Sequence, residues 1–63
     1  MNDKTRGALA SGLALLTNGF GDYAEAVLAD VRDEAVQPVL ALVRQGATPA
    51  AMAQIREMLR DDR

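Results

Sequence analysis

With 63 residues the chain has room for one small domain, and with neither cysteine nor histidine it can form no disulfide, no thiolate or imidazole metal site and no nucleophile–histidine pair. Seven basic residues are scattered among nine acidic ones for a net charge of −2, without the clustered basic footprint of a nucleic-acid binder. No stretch approaches the roughly 18 consecutive apolar residues of a membrane span.

Residues 1–6 have mixed charge, and the apolar run at 8–16 is interrupted by Ser11 and Gly12. That order does not make a signal peptide, so a cytoplasmic location is expected. Apolar residues form 49% of the chain, too many for disorder, but twelve of them are alanine and only Phe20 and Tyr23 are aromatic. Alanine favours helix and buries little area. The expected result is good local helicity around a lean core, which a second subunit could complete.

The first helix is expected over residues 3–17, with Asn2 or Asp3 as its N-cap. Leu9, Leu13 and Leu16 recur at i, i+4 and i+7 and mark one face. Asn18 and Gly19 end it, since either can take the left-handed conformation that closes a last turn. Gly7 and Gly12 each weaken it by roughly 1 kcal/mol relative to alanine.

A second helix is expected from Asp22, with Glu25 three residues on approximating a capping box. Ala24, Leu28, Val31 and Ala35 form its stripe. After Pro38 the stripe becomes Val36, Val39, Leu40 and Val43, rotated by roughly 110° from the first. Either the helix kinks across residues 33–38, or a new short helix starts there with Pro38 in its first turn. Arg44 suits the negative end of the dipole and Gly46 closes the segment. The third segment has Thr48 as N-cap and Pro49 as first helical residue. It runs to about Arg60 with Met52, Ile55 and Leu59 inward, and residues 61–63 fray into solvent. No segment alternates with period two, so no strand is expected.

Catalytic equipment is missing throughout. Ser11 has only Lys4 as a conceivable partner. Asp33 and Glu34, like Asp61 and Asp62, are adjacent on a helix and point about 100° apart, as solvated charges do. The run Gly19-Phe20-Gly21 lacks the preceding strand and following lysine of a phosphate loop. No acidic loop has calcium spacing. No metal, cofactor or catalytic residue is expected.

Two features point to binding. Gly7 with Ser11, Ala8 with Gly12, and Ala10 with Ala14 put small side chains four apart, where another helix can approach closely. Asp22, Glu25, Asp30, Asp33 and Glu34 face only Arg32 over thirteen residues. They form either a solvated outer face or a docking face for a basic partner protein.

The run Val43-Arg44-Gln45-Gly46-Ala47-Thr48-Pro49-Ala50-Ala51-Met52-Ala53 resembles the stretch around the second helix of repressor-type helix-turn-helix domains, where a glycine, a threonine N-cap and a buried alanine recur. The resemblance covers about eleven residues and implies a turn and a recognition helix next. Here residues 54–60 continue the same helical pattern instead.

These readings make the chain a single all-α domain over residues 1–63, a compact bundle of three or four short helices, with the second long helix kinked or broken near Pro38. The expected function is a non-catalytic interaction or regulatory module that associates with itself as a homodimer and binds an unidentified partner protein. The alternatives are a minimal helix-turn-helix-like nucleic-acid binder, a structural assembly subunit, and a phage- or plasmid-type modulator that inhibits a host protein. The dimer follows from area. About 18 large apolar side chains must cover several rotated stripes, and an uncovered stripe marks an interface. Its expected seat is Leu9, Leu13 and Leu16, or Val36, Val39, Leu40 and Val43.

Overall fold

The Asn2 side chain accepts a hydrogen bond of 2.7 Å from the Thr5 amide and starts the first helix, α1, which spans Asp3–Thr17 in the computed structural model. The structure describes residues 1–61; Asp62 and Arg63, expected to fray, lie outside the described residues. Three further helices follow: α2 over Gly21–Val31, α3 over Gln37–Arg44 and α4 over Thr48–Asp61. A short 3₁₀ turn, Glu34–Val36, leads into α3. The all-helical architecture expected from the periodicity is therefore present, and no strand occurs among the described residues.

Both glycine stops work through the same geometry. Gly19 has φ 82° and Gly46 has φ 77°. At the first stop the Phe20 amide donates to the Leu15 carbonyl and the Gly19 amide to that of Leu16. At the second, Ala47 donates to Leu42 and Gly46 to Val43. Each is a full Schellman closure, which satisfies carbonyls that the helix end would leave bare.

The start of α2 departs from expectation. The helix begins at Gly21, its N-cap position is Phe20, and no side chain caps it. The Asp22–Glu25 capping box does not form, because the Schellman closure of α1 has already set the chain direction and Asp22 lies inside the first turn. There it still complements the positive end of the helix dipole. The α4 start is one residue earlier than expected, with Thr48 inside the helix and the Ala51 amide bonded to the Ala47 carbonyl.

Of the two alternatives at Pro38, the chain takes the break and not the kink. It breaks six residues before the proline. Arg32 adopts φ 54° and ψ 38°, the left-handed conformation, and ends α2. Asp33 is extended, and its carboxylate accepts from the Ala35 amide at 2.9 Å to start the 3₁₀ turn. Pro38 then sits in the first turn of α3, where its missing amide costs nothing. The turn resets the helical phase. Val36, Val39 and Leu40 swing inward, and Ala35, which continued the α2 stripe on paper, is exposed.

The four helices close a ring in which α1 packs against α2 and α4, and α3 packs against the same two. Leu9 and Leu16, Ala24 and Leu28, Val36, Val39 and Leu40, and Ala51 and Ile55 fill its centre. Helix α1 comes close enough to α2 for a Cβ placed on Gly12 to lie 3.3 Å from the Leu28 side chain. Gly7, five residues earlier, faces open space. The chain exposes 4008 Å². A folded monomer of this mass exposes about 3,900 Å², so four short helices suffice to close the core.

These contacts separate substitutions that look alike on paper. Gly7→Ala is expected to raise unfolding stability by about 0.5–1 kcal/mol, since it gains helix propensity and meets nothing. Gly12→Val is expected to lower it by about 1–3 kcal/mol, because Leu28 must move. Urea unfolding monitored by far-ultraviolet circular dichroism measures both, and equal responses at the two positions would contradict the close approach. In the same assay Arg32→Gly should raise the midpoint, because glycine relieves a conformation that costs a side-chain-bearing residue about 1–2 kcal/mol.

Candidate functional site

The Schellman closure that ends α1 delivers Phe20 to the corner where α2 begins. Phe20 is 51% exposed, and Tyr23, three residues on, is 66% exposed. The two rings meet edge to face, with centroids 6.1 Å apart and planes inclined by 67°. That geometry suits the quadrupoles of both rings and holds the pair together on the surface. The chain has no other aromatic residue, so its whole aromatic content lies outside the core.

The buried face of α2 is set by Ala24 and Leu28. Opposite it, Asp22, Tyr23, Ala26 and Asp30 are exposed, and at 100° per residue they span about 100° of arc. Val27 lies half-buried at the edge of this face beside Tyr23. The carboxylates of Asp22 and Asp30 make no hydrogen bond or ion pair among the described residues. The outer face is thus an aromatic corner continued by two solvated carboxylates.

The five acidic residues expected on one docking face divide by role. Asp22 and Asp30 are on the outer face. Glu25 lies to its side and accepts from the Arg44 guanidinium of α3 at 3.2 Å, in a solvent-exposed pair that contributes little to stability. Asp33 is past the end of α2 and is engaged structurally: one carboxylate oxygen takes the Ala35 amide, and the other takes the Thr5 hydroxyl at 2.7 Å. Glu34 is exposed at the start of the 3₁₀ turn. Thr5 itself is fully buried, so the hydrogen bond to Asp33 meets a need inside the fold. It ties the first turn of α1 to the break between α2 and α3.

The expected dimer residues go elsewhere. Leu9, Leu16, Val36, Val39 and Leu40 are within the core of their own chain, and Leu13 and Val43 are half-buried beside it. On a straight or kinked α2 the second stripe could not share neighbours with the first. The reset at Arg32 removes that constraint by turning both stripes to one centre. Of the small-residue pairs on α1, Ala8 and Gly12 face inward, with Gly12 buried against Leu28; Gly7, Ala10, Ser11 and Ala14 are on the solvent side.

The helix-turn-helix resemblance holds in part. Ala51 is fully buried, as it implies. Helix α4 then runs unbroken to Asp61, so the turn that the resemblance calls for does not occur among the described residues. Arg56 and Arg60 are exposed on α4, but Arg60 is paired with Glu57 and the surface alternates in sign. Among the described residues no three carboxylates come together as a metal site, and no helix is long and apolar enough to cross a membrane. No protein-family model matches the chain, and no curated protein or solved structure matches it significantly.

Sequence reasoning counted Phe20 and Tyr23 as the only aromatic residues without placing them together on the surface. A signal was present: Tyr23 is out of phase with Ala24 and Leu28 and in phase with Asp30. The Thr5–Asp33 bond had no such signal, since it joins residues 28 apart in the chain.

Asp33 predicts how stability depends on pH. The Thr5 hydroxyl, then the Ala35 amide, and last the N-terminal ammonium hold its carboxyl below the usual 3.8, against a smaller opposing effect of desolvation. A group whose folded pKa is depressed contributes stability that is fully present above its unfolded pKa and lost as pH falls through the folded one. Stability should therefore hold above about pH 4 and decline below it. The Asp33→Asn variant should be less stable at neutral pH and lose part of that acid-dependent decline. A variant with the same acid profile as the wild type would show that the bond does not form.

Proposed function

We propose that the protein is a non-catalytic protein-binding module whose working surface is the outer face of α2 and its aromatic corner. One observation carries the reading. A chain with a lean, alanine-rich core places both of its aromatic rings on the surface, where they add nothing to that core. Aromatic side chains are the residues most enriched where binding energy concentrates, because each offers a large rigid area at low entropic cost. The rings lie at a corner fixed by the Schellman closure and helix α2, so the surface is preorganised and little ordering is lost on binding. A homodimer is not part of this proposal, because the stripes that would have formed it are turned into the core.

The test is a paired one. Immobilised wild-type protein should retain a partner from the native host. The double variant Phe20→Ser, Tyr23→Ser should lose it while keeping the wild-type helical spectrum and melting temperature, because neither ring supports the core. Equal retention by a folded double variant would reject the surface. Sedimentation equilibrium of the isolated protein at micromolar concentration should give one species of 6.7 kDa; a concentration-dependent dimer would return self-association to the account.

A further inference from the structure

Three features lie outside the core packing just described: the small-residue outer side of α1, the Thr5–Asp33 tie, and the aromatic and acidic face of α2. The first is a stripe of small side chains with nothing beside it that selects an occupant. The second is engaged inside the fold, with both Asp33 carboxylate oxygens already taken by the Thr5 hydroxyl and the Ala35 amide. The third has both an apolar anchor and unneutralised charge of one sign.

From that third feature we infer that the partner segment is cationic and carries arginine, seated along α2 with a guanidinium over the Tyr23 ring and in reach of Asp22 or Asp30. The inference rests on the protein-binding reading above and specifies the partner's chemistry. Tyr23 is 66% exposed, and a cation is drawn to the face of such a ring by its quadrupole. Asp22 precedes it in the chain, and Asp30 lies on the same face, seven residues on and about 10 Å along the helix. Both carboxylates are solvated, so a binding cation does not have to break an existing pair. Between Gly21 and Val36 the only basic side chain is Arg32, past the end of α2, and the nearby Arg44 is engaged by Glu25 on the side of the helix.

The guanidinium fits this face better than an ammonium does. It is planar, stacks on an aromatic ring and can engage a carboxylate with two parallel hydrogen bonds while stacked. Charge also sorts the other occupants. A second copy of the same face would set Asp22 and Asp30 against their own counterparts, in a chain of net charge −2. Nucleic acid and anionic membrane surfaces have the same sign as this face and are repelled by it.

The experiment uses the intact protein and a blocked, alanine-rich helical peptide with two arginines two turns apart. Companion peptides carry lysine or glutamate at the same positions, and binding is followed by the amide and aromatic NMR signals. The arginine peptide should shift the Tyr23 ring signals and the amides of residues 20–30 and leave those of α4 in place. Lysine should weaken binding, and glutamate should abolish it. Tyr23→Leu, which keeps apolar area and loses the ring face, and the pair Asp22→Asn, Asp30→Asn should each weaken the arginine peptide by roughly two- to tenfold, with both proteins still folded at the temperature of the measurement.

Equal shifts with the glutamate peptide, shifts centred on α4, or an unaltered affinity in the folded Tyr23→Leu protein would each overturn the inference. So would a DNA duplex or anionic vesicle that moved the same signals more strongly than the peptide. Loss of the natural partner in the Phe20, Tyr23 double variant together with indifference to every arginine peptide would keep the protein-binding surface and reject a cationic partner.

Discussion

At Arg32 a side-chain-bearing residue is held in the left-handed conformation, and the chain leaves the axis of α2. Asp33 secures the departure from both sides. Toward the C-terminus its carboxylate caps the 3₁₀ turn, and toward the N-terminus it receives the buried Thr5 hydroxyl of α1. One residue thereby joins three elements, and the position of α3 follows. If α2 ran straight on, Val36, Val39 and Leu40 would point away from Ala24 and Leu28. With the reset, all five share one centre with Leu9, Ala51 and Ile55. The closure of the whole bundle depends on this local geometry.

The amount of core that results is small, and the backbone compensates through proximity. Gly12 lets α1 settle on Leu28, and Ala24 and Ala51 are fully buried. Short side chains at a helix contact bring backbones close, so dispersion acts over many atom pairs at near-optimal distance although each side chain contributes little area. No buried side-chain nitrogen or oxygen among the described residues lacks a hydrogen-bond partner. A lean core tolerates no such loss, because one unsatisfied group costs about 1–3 kcal/mol and the margin of a domain this size is comparable.

Helix existence was legible because it depends on signals close in sequence. The leucines of α1, the glycines after it and after α3, and the proline at the start of α4 are all read within a few residues of where they act. The break between α2 and α3 was legible only as a conflict between two stripes. Pro38 drew attention to itself, although the chain had already turned at Arg32, a residue with no preference for that conformation. Tertiary contacts make that choice: the Thr5 hydroxyl reaches Asp33 only once α1 is in place. The same limit explains the interface residues. Leu9, Leu16, Val36, Val39 and Leu40 were read as interface candidates because periodicity gives the direction of a face and not what lies opposite it. The acidic face was legible as charge and not as a set of roles, since Glu25 and Asp33 acquire partners from other helices.

The segregation of both aromatic rings from the core has a spectroscopic corollary. Near-ultraviolet circular dichroism and intrinsic fluorescence draw on aromatic chromophores, and this chain has one tyrosine, one phenylalanine and no tryptophan. Its packed interior of leucine, valine, isoleucine and alanine is silent in that spectral window. A weak near-ultraviolet signal beside strong helical ellipticity ordinarily diagnoses a molten globule. Here the same pair of spectra would come from an ordered native bundle, and the optical probes would follow the surface at Tyr23 while the core melted unseen.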